Sequence, residues 1–316
     1  MKVTVLNGQK VNFDGTIDYS VLGDEVVVYE DSTPEQIIPR CEGAEVIVTK
    51  ELVLTADQVM TLPDCVKLIC EAGTGYNNLP LDACRKKGIM VCNVPAYSSE
   101  RVAHTAVMLM LMLASTMQTQ IAMLAKGDHS NFDQHLMVPH TELNGKTLGV
   151  VGAGNIGRQV IKIARAMDMN VLAYDCFPGK DSEGVRFCSL DEVLESSDFV
   201  TLHCPLTSDN FHMINEETLG KMKKTAFLIN CARGALVEEK ALVKALQTGV
   251  IAGAALDVQE TEPPAADNPL YSLPNVILTP HMGWKGLETR QRLLSILKAD
   301  IDGYISGKTV NRVDDL

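Results

Sequence analysis

The sequence has no apolar run long enough to cross a bilayer. Its most apolar stretch, residues 106–114, falls well short of the roughly 20 residues a membrane-spanning helix needs. That stretch reads instead as a methionine-rich core helix. Cations are also scarce: 28 Lys and Arg stand against 40 Asp and Glu, a formal net charge of −12. A chain of that sign repels phosphate backbones, which excludes nucleic acid as a partner. It does not exclude a small anion held by one local arginine. None of the nine cysteines pair as C-x-x-C, and none share zinc-ligand spacing with the seven histidines. No metal site is expected, and the cysteines point to free thiols in a reducing cytoplasm. No signal peptide is visible, since Met1-Lys2 leads straight into an apolar strand and then Asn7-Gly8. Repeats, low-complexity segments and charged tails are missing too.

What is present suggests two domains. The chain has 316 residues, 46% of them hydrophobic, and a domain takes roughly 150 residues. Short apolar runs at residues 3–6, 25–29, 45–49, 67–70 and 90–93 alternate with helical patterns at 34–40, 56–62 and 79–87. Such alternation predicts a parallel sheet with helices on both faces. A long helix over 100–125 follows, with Ser98 or Ser99 as N-cap and Lys126-Gly127-Asp128 as its stop. Residues 128–142 lose periodicity and read as a surface connection. A second alternating set then begins. Its strands are expected at 147–151, 170–174, 199–203, 226–230, 251–256 and 276–278, and its helices at 156–167 and 238–247. A last helix is expected over 285–305.

One loop carries a phosphate-binding pattern: Gly152-Ala153-Gly154-Asn155-Ile156-Gly157. It follows the strand Leu148-Gly149-Val150-Val151 and opens a helix with an apolar stripe. In such a loop the first glycine makes the tight turn. The second lets backbone approach a pyrophosphate, and the third packs helix on strand. The helix N-terminus adds unpaired N–H groups and a partial positive charge. Asp175 ends the next strand, near the ~20-residue offset of a ribose-binding acid. A carboxylate there repels a 2′-phosphate, and Cys176-Phe177-Pro178 supplies no cation to offset it. NAD is therefore favoured over NADP. The bland alternative is a glycine turn in an ordinary βα unit.

Three residues near the end, Arg233, Glu262 and His281, are the parts for protonating a carbonyl while a cation holds a carboxylate. Arg233 follows strand 226–230, and Asp257 ends strand 251–256. In open α/β sheets ligands bind at the carboxyl ends of strands. An arginine there can hold a 2-oxo acid's carboxylate through a planar bidentate contact, or serve a surface ion pair. His281 follows Thr279-Pro280. Its unperturbed pKa of about 6.5 suits acid–base work, although a lone histidine is more often structural. Glu262, in Glu262-Pro263-Pro264, can fix an imidazolium or stand as an exposed turn acid. A pyrophosphate loop and a proton donor together suggest hydride transfer.

Ordered motifs carry a resemblance over nearly the whole chain. They are Ala72-Gly73-Thr74-Gly75-Tyr76-Asn77-Asn78, Asn93-Val94-Pro95, the glycine loop, Leu202-His203-Cys204-Pro205-Leu206-Thr207, Asn230-Cys231-Ala232-Arg233-Gly234, Leu256-Asp257-Val258, Glu262-Pro263-Pro264 and Thr279-Pro280-His281. The chain resembles the D-isomer-specific 2-hydroxyacid dehydrogenases. The resemblance implies an α/β fold of two Rossmann-like, doubly wound parallel-sheet domains. Residues 1–99 with 285–316 would form a discontinuous, flavodoxin-like substrate-binding domain, the C-terminal helix packing back on it. Residues 100–284 would form an NAD-binding Rossmann domain. His281 would be the acid–base, paired with Glu262, and Arg233 would bind and polarise the substrate. Backbone amides of Thr74 and Gly75 would hold its carboxylate, in a cleft between the domains. Gly152, Gly154, Asn155, Ile156 and Gly157 would meet the pyrophosphate, and Asp175 the adenosine ribose. Pro205 would border the cofactor and Cys231 would contact it through its backbone. Asp257 would bind the nicotinamide carboxamide, and Thr105 would face the phosphate or nicotinamide side. A homodimer is implied, with the long helix at its interface.

Within that family, Thr74-Gly75-Tyr76-Asn77-Asn78, the run from Pro263 to Pro269 and His281-Met282-Gly283-Trp284 resemble the glycerate dehydrogenase (hydroxypyruvate reductase) branch. Three departures bear on substrate: Cys231 where a threonine is common, Phe132 where a tryptophan is, and Pro80 where an acid is. The expected reaction is reduction of a small 2-oxo acid, hydroxypyruvate or glyoxylate first. One alternative is an NAD-sensing binding protein of the corepressor type with little turnover. Another is a phosphorylated substrate, for which Lys50 is the one candidate cation, here read as a solvated loop lysine. Side-chain specificity is expected to depend on Lys50, Leu52, Tyr76 and Trp284.

Overall fold

Short apolar strands build the first sheet: β1 (Lys2–Val5), β2 (Glu25–Val28), β3 (Val46–Thr49), β4 (Leu68–Glu71) and β5 (Met90–Cys92). All pair in parallel, in the order β2-β1-β3-β4-β5. β3 and β4 are buried along their whole length, as central strands covered on both faces must be. The computed structural model describes residues 1–182, 184–308 and 310–314. Glu183, in the expected NAD-binding span, and Thr309, Asp315 and Leu316, in the expected substrate-binding span, lie outside the described residues.

The chain divides into two compact units, Met1–Ser98 with Lys285–Leu316, and Ser99–Trp284. In the first, helices α1 (Pro34–Arg40), α2 (Ala56–Thr61) and α3 (Leu81–Lys87) follow strands. α2 begins with a reciprocal cap: Gln58 N donates to Thr55 Oγ1 (3.1 Å) and Thr55 N to Gln58 Oε1 (2.9 Å). Strand order 2-1-3-4-5 is the flavodoxin-like winding, whose ligand crevice opens between β1 and β3. The C-terminal helix Leu287–Ile305 belongs to this unit. Its buried Arg290 donates to Val11 O (3.0 Å), pairs with Asp14 (2.6 Å) and lies over the Phe13 ring (4.3 Å). Arg292 reaches Tyr97 O (2.6 Å). The discontinuous first unit expected from the sequence is held by these bonds.

The second unit starts with α4 (Ser99–Ala114), α5 (Met117–Ala125) and the single-turn α6 (Ser130–Asp133). One helix over 100–125 was expected, but the structure breaks it, with a bend of 67°. Thr116 sits at φ 48. The break is set from a distance: Thr141 N donates to Ala114 O (2.9 Å), and Thr116 Oγ1 to Pro139 O (2.6 Å). No single helix among the described residues is long and apolar enough to cross a membrane. The methionine-rich run of α4 lies in the core with Leu109, Met110 and Leu113 buried.

The sheet of this unit comprises β6 (Thr147–Val151), β7 (Asn170–Tyr174), β8 (Val185–Phe187), β9 (Phe199–Leu202), β10 (Phe227–Asn230), β11 (Gly253–Leu256) and β12 (Val276–Leu278). Helices α7 (Asn155–Ala166), α8 (Leu190–Ser196), α9 (Glu216–Lys221) and α10 (Glu239–Thr248) cover it. Its order, β12-β11-β10-β9-β6-β7-β8, is parallel throughout. Counted from β6 this is the 3-2-1-4-5-6 Rossmann winding with one strand added, and its switch point lies between β6 and β9. β8, α8 and α9 were not anticipated from the sequence.

Candidate active site

β6 delivers the chain to Gly152 at the switch point. Gly152 has φ +95, and a Cβ there would fall 2.5 Å from Cys204 N and 2.7 Å from His203 C. Only glycine lets the loop turn so close under the end of β9. Gly154 caps α7, and nothing lies within 4 Å of where its Cβ would project. A Cβ on Gly157 would sit 2.0 Å from Gly152 O, so the helix start closes onto the loop. An open backbone cradle therefore faces the N-terminus of α7, where Asn155 and Ile156 begin the helix and its dipole favours an anion.

Asp175 sits just past β7. Its Oδ2 accepts from Ala153 N (2.7 Å) and its Oδ1 from Phe177 N (2.8 Å). The acid is thus tied to the phosphate loop itself, and each oxygen keeps a further lone pair for a hydroxyl donor. These residues fit a dinucleotide. Pro205 lies exposed after β9, its carbonyl accepting from Asn210 Nδ2 (2.7 Å). Cys231 is buried after β10, and burial pushes its thiol well above the usual range, so it stays neutral. Thr105 is buried in α4 and turned to Arg101, donating to its carbonyl (3.1 Å) and accepting from its Nη1 (2.9 Å). His203, on the motif beside Gly152, has its imidazole pushed down to about 4 by burial, and its Nε2 lies 2.9 Å from Thr201 Oγ1.

The proton-handling residues collect at the carboxyl ends of β10, β11 and β12. Asp257, only 2% exposed, is the anchor. Its carboxylate accepts from Thr279 Oγ1 (2.5 Å), Met282 N (2.9 Å) and Gly283 N (2.8 Å), and its carbonyl from His281 N (2.9 Å). These bonds bracket His281 and hold it at φ 48, a conformation uncommon outside glycine. His281 Nδ1 lies 2.8 Å from Glu262 Oε2, while Glu262 Oε1 accepts from Gln259 N (3.0 Å). A carboxylate at Nδ1 fixes the ring and leaves Nε2 as the working nitrogen.

Arg233 stands on a clamped turn. Asn230 Oδ1 accepts from Ala232 N (3.0 Å), and Asn230 Nδ2 donates to Arg233 O (2.9 Å). A Cβ on Gly234 would fall 1.8 Å from Gln259 O. The Arg233 turn is therefore pressed against the start of the Glu262 loop. Sequence reasoning missed two supports of this arrangement, Asp257 as an anchor and Glu260. Glu260 accepts from Glu239 N (2.9 Å) and pairs with His212 Nε2 (2.9 Å). Neither shows in spacing, because both act across the fold.

Thr74 and Gly75 lie in the first unit, after β4. Thr74 Oγ1 donates to Val94 O (3.0 Å), and Asn93 Nδ2 to Thr74 O (2.7 Å), which fixes the turn. Lys50 corrects an expectation: it is no solvated loop lysine but 4% exposed. The chain after β3 turns inward, and a Cβ on Gly73 would fall 3.1 Å from Lys50 Nζ and 3.4 Å from Glu71 Oε1. Lys50 Nζ pairs with Glu51. Glu71 is buried and accepts from Thr49 Oγ1 (2.8 Å), Asn78 Nδ2 (2.9 Å) and Glu51 N (2.8 Å). Burial raises its carboxyl pKa, partly offset by the Lys50 charge.

Comparison with known proteins bears on family and fold. The sequence profile described as "D-isomer specific 2-hydroxyacid dehydrogenase, NAD binding domain" matches residues 107–283. A hydroxypyruvate reductase of Blautia hydrogenotrophica is 35% identical over 99% of this chain and 100% of its own length. A glycerate dehydrogenase of Methylorubrum extorquens is 37% identical, over 99% of both chains. Among solved structures, the TT0316 protein of Thermus thermophilus superposes with a TM-score of 0.87 at 31% identity, covering 99% of this chain and 100% of its own. With a glycine loop set for a dinucleotide and an imidazole seated on a carboxylate, the chain belongs to the D-isomer-specific 2-hydroxyacid dehydrogenase family, with NAD as its cofactor.

Proposed function

We propose that this chain reduces a small 2-oxo acid to its D-2-hydroxy acid, with hydroxypyruvate or glyoxylate as first-choice substrate. The observation that carries the reading is the His281–Glu262 pair at 2.8 Å, held beside the Arg233 turn in an NAD-binding domain. The names of the two similar enzymes support the substrate class. When bound, NADH supplies a hydride to the carbonyl carbon. The protonated His281 gives a proton from Nε2 to the carbonyl oxygen, and the Glu262 carboxylate stabilises the imidazolium before transfer. Arg233 holds the substrate carboxylate through its guanidinium and stabilises charge developing on the oxygen. In the first unit, the backbone N–H groups of Thr74 and Gly75 are the donors that this reading assigns to substrate. Asp257 keeps His281 in place and, through its remaining lone pairs, meets the nicotinamide carboxamide. Gly152, Gly154, Asn155, Ile156 and Gly157 hold the pyrophosphate and Asp175 the ribose. Thr105, Pro205 and Cys231 border the cofactor.

Relatives named hydroxypyruvate reductase, glycerate dehydrogenase and glyoxylate reductase favour the enzyme reading over a protein that senses NAD without turnover. Loss of NADH absorbance across a panel of 2-oxo acids tests it. Turnover of hydroxypyruvate or glyoxylate is expected, and tight NADH binding with no turnover of any panel member would sink it.

The working form is a homodimer in this reading. Leu111, Met117, Ile121 and Leu124 are exposed apolar residues on α4 and α5, a face that a second copy of the chain would cover. Nine free thiols suit a cytoplasmic setting.

A further inference from the structure

We infer that the first unit carries a second binding site, for the phosphate group of a small metabolite, at the opposite edge of its sheet from the turn assigned to substrate. The first observation is a cavity of about 330 Å³ whose walls include Lys67, Arg85, Gly88, Tyr304, Arg312 and Asp314. All of these residues belong to the first unit, so the site needs nothing from the second. Its size falls at the lower end of the roughly 300–1,000 Å³ usual for small-molecule sites. The second observation is topological. Lys67 directly precedes β4, and Gly88 lies two residues before β5. The strands of this sheet are parallel, so the cavity lies at their amino ends. Ligands of doubly wound sheets bind at the carboxyl ends, where Thr74 and Gly75 follow β4. The cavity is therefore distinct from the substrate turn.

The third observation is charge. The lining holds three cations against one acid, in a chain of net charge −12. That acid, Asp314, is 2% exposed and already engaged, accepting from Val91 N (2.8 Å) and pairing with Arg312 (2.8 Å). A neighbouring acid, Glu45, accepts from Tyr304 Oη (3.0 Å). Arg85 donates through Nε to Asp314 O and pairs through Nη1 with exposed Asp82, which fixes its guanidinium at the wall. Lys67 is held by its backbone: its N–H donates to Glu45 O and its carbonyl accepts from Met90 N, both at 2.9 Å. Its ammonium has no hydrogen bond or ion pair within the described residues. Gly88 leaves open space where a side chain would project, so nothing narrows the cavity there. Guanidinium forks match the oxygens of a phosphate, and lysine adds a point charge. Two arginines and a lysine around one space suit a dianion with three free oxygens better than a monocarboxylate.

The test is calorimetric titration of the full chain saturated with NADH, so that the phosphate loop of the second unit is already filled. Inorganic phosphate and glycerol 3-phosphate are titrated separately, with sodium chloride holding the ionic strength constant. A saturable binding event is expected. Tighter binding of glycerol 3-phosphate would identify a phosphate ester as the ligand, and equal or tighter binding of inorganic phosphate the free ion. Lys67→Glu is expected to raise the dissociation constant about tenfold or more, the weight of one lost hydrogen bond to a charged group, with NADH affinity at the wild-type value. Should that variant fail to fold, Lys67→Gln removes the charge without reversing it and gives the same reading. No saturable event with either compound, or a dissociation constant that the Lys67 variant leaves unchanged, would overturn the site.

Discussion

His281 holds its unusual backbone because Asp257 receives the N–H or O–H groups on either side of it. The consequence at this scale is a separation of roles. His281→Gln removes the proton and leaves the cofactor loop untouched. It is expected to lower kcat by about 100- to 10,000-fold, the usual weight of general acid catalysis, with the NADH dissociation constant within a few-fold of wild type. Stopped-flow turnover and fluorescence titration of NADH check the two halves, and normal turnover would remove the acid–base assignment. Asp175→Ala is expected to narrow the preference for NADH over NADPH, read from the ratio of kcat/KM values. An unchanged ratio would take Asp175 off the ribose. It would also show that the bonds from Ala153 N and Phe177 N are its whole purpose. Residue types and spacing singled out His281 and Glu262, which the fold brings to 2.8 Å of one another. They could not show Lys50 buried, because its neighbours Asn7 and Gly73 follow other strands.

Among the elements, turns do more than strands to bring the site together. Gly234 is the clearest case, because a methyl there meets the Gln259 carbonyl at 1.8 Å and backbone has to move. Gly234→Ala is expected to cost about 1–3 kcal/mol of stability, the usual range for overpacking, and to lower kcat more than it weakens NADH binding. Thermal unfolding and steady-state kinetics test this. Wild-type stability and kinetics would mean that the two loops are not pressed together. Strand–helix alternation made the central strands legible, since they are short and largely apolar, as in Val46-Ile47-Val48. β8 was not, being three residues long with Arg186 exposed in its middle. The break between α4 and α5 carries no proline or glycine. Its cause is the pairing of Ala114 with Thr141, a tertiary bond that overrides local helix propensity.

For the whole molecule, one buried group in each unit responds to acid in the opposite sense. In the second unit, burial holds the His203 imidazole at about 4. As pH falls from about 6.5 through 4 the unfolded chain takes up that proton first, so the His203 contribution falls toward acid. In the first, burial lifts Asp300 to about 6. Between about pH 4 and 6 the unfolded state ionises while the folded state keeps its proton, so the Asp300 contribution falls as pH rises. Asp300→Asn removes the second effect. Denaturant unfolding at several pH values is expected to show wild type losing on the order of 1 kcal/mol relative to the variant between pH 4 and 7. A difference that stays flat with pH would mean that Asp300 titrates normally.

The helix Leu287–Ile305 closes a unit whose strands begin at Lys2, and this has a bearing on how the protein is made. On the ribosome the first sheet emerges early but lacks the buried Leu293, Leu297 and Ile301 of its last helix. The whole of Ser99–Trp284 is synthesised before they appear. At 5–20 residues per second that wait is on the order of ten seconds or more, during which the nascent amino-terminal sheet has an uncovered apolar face for a chaperone to shield.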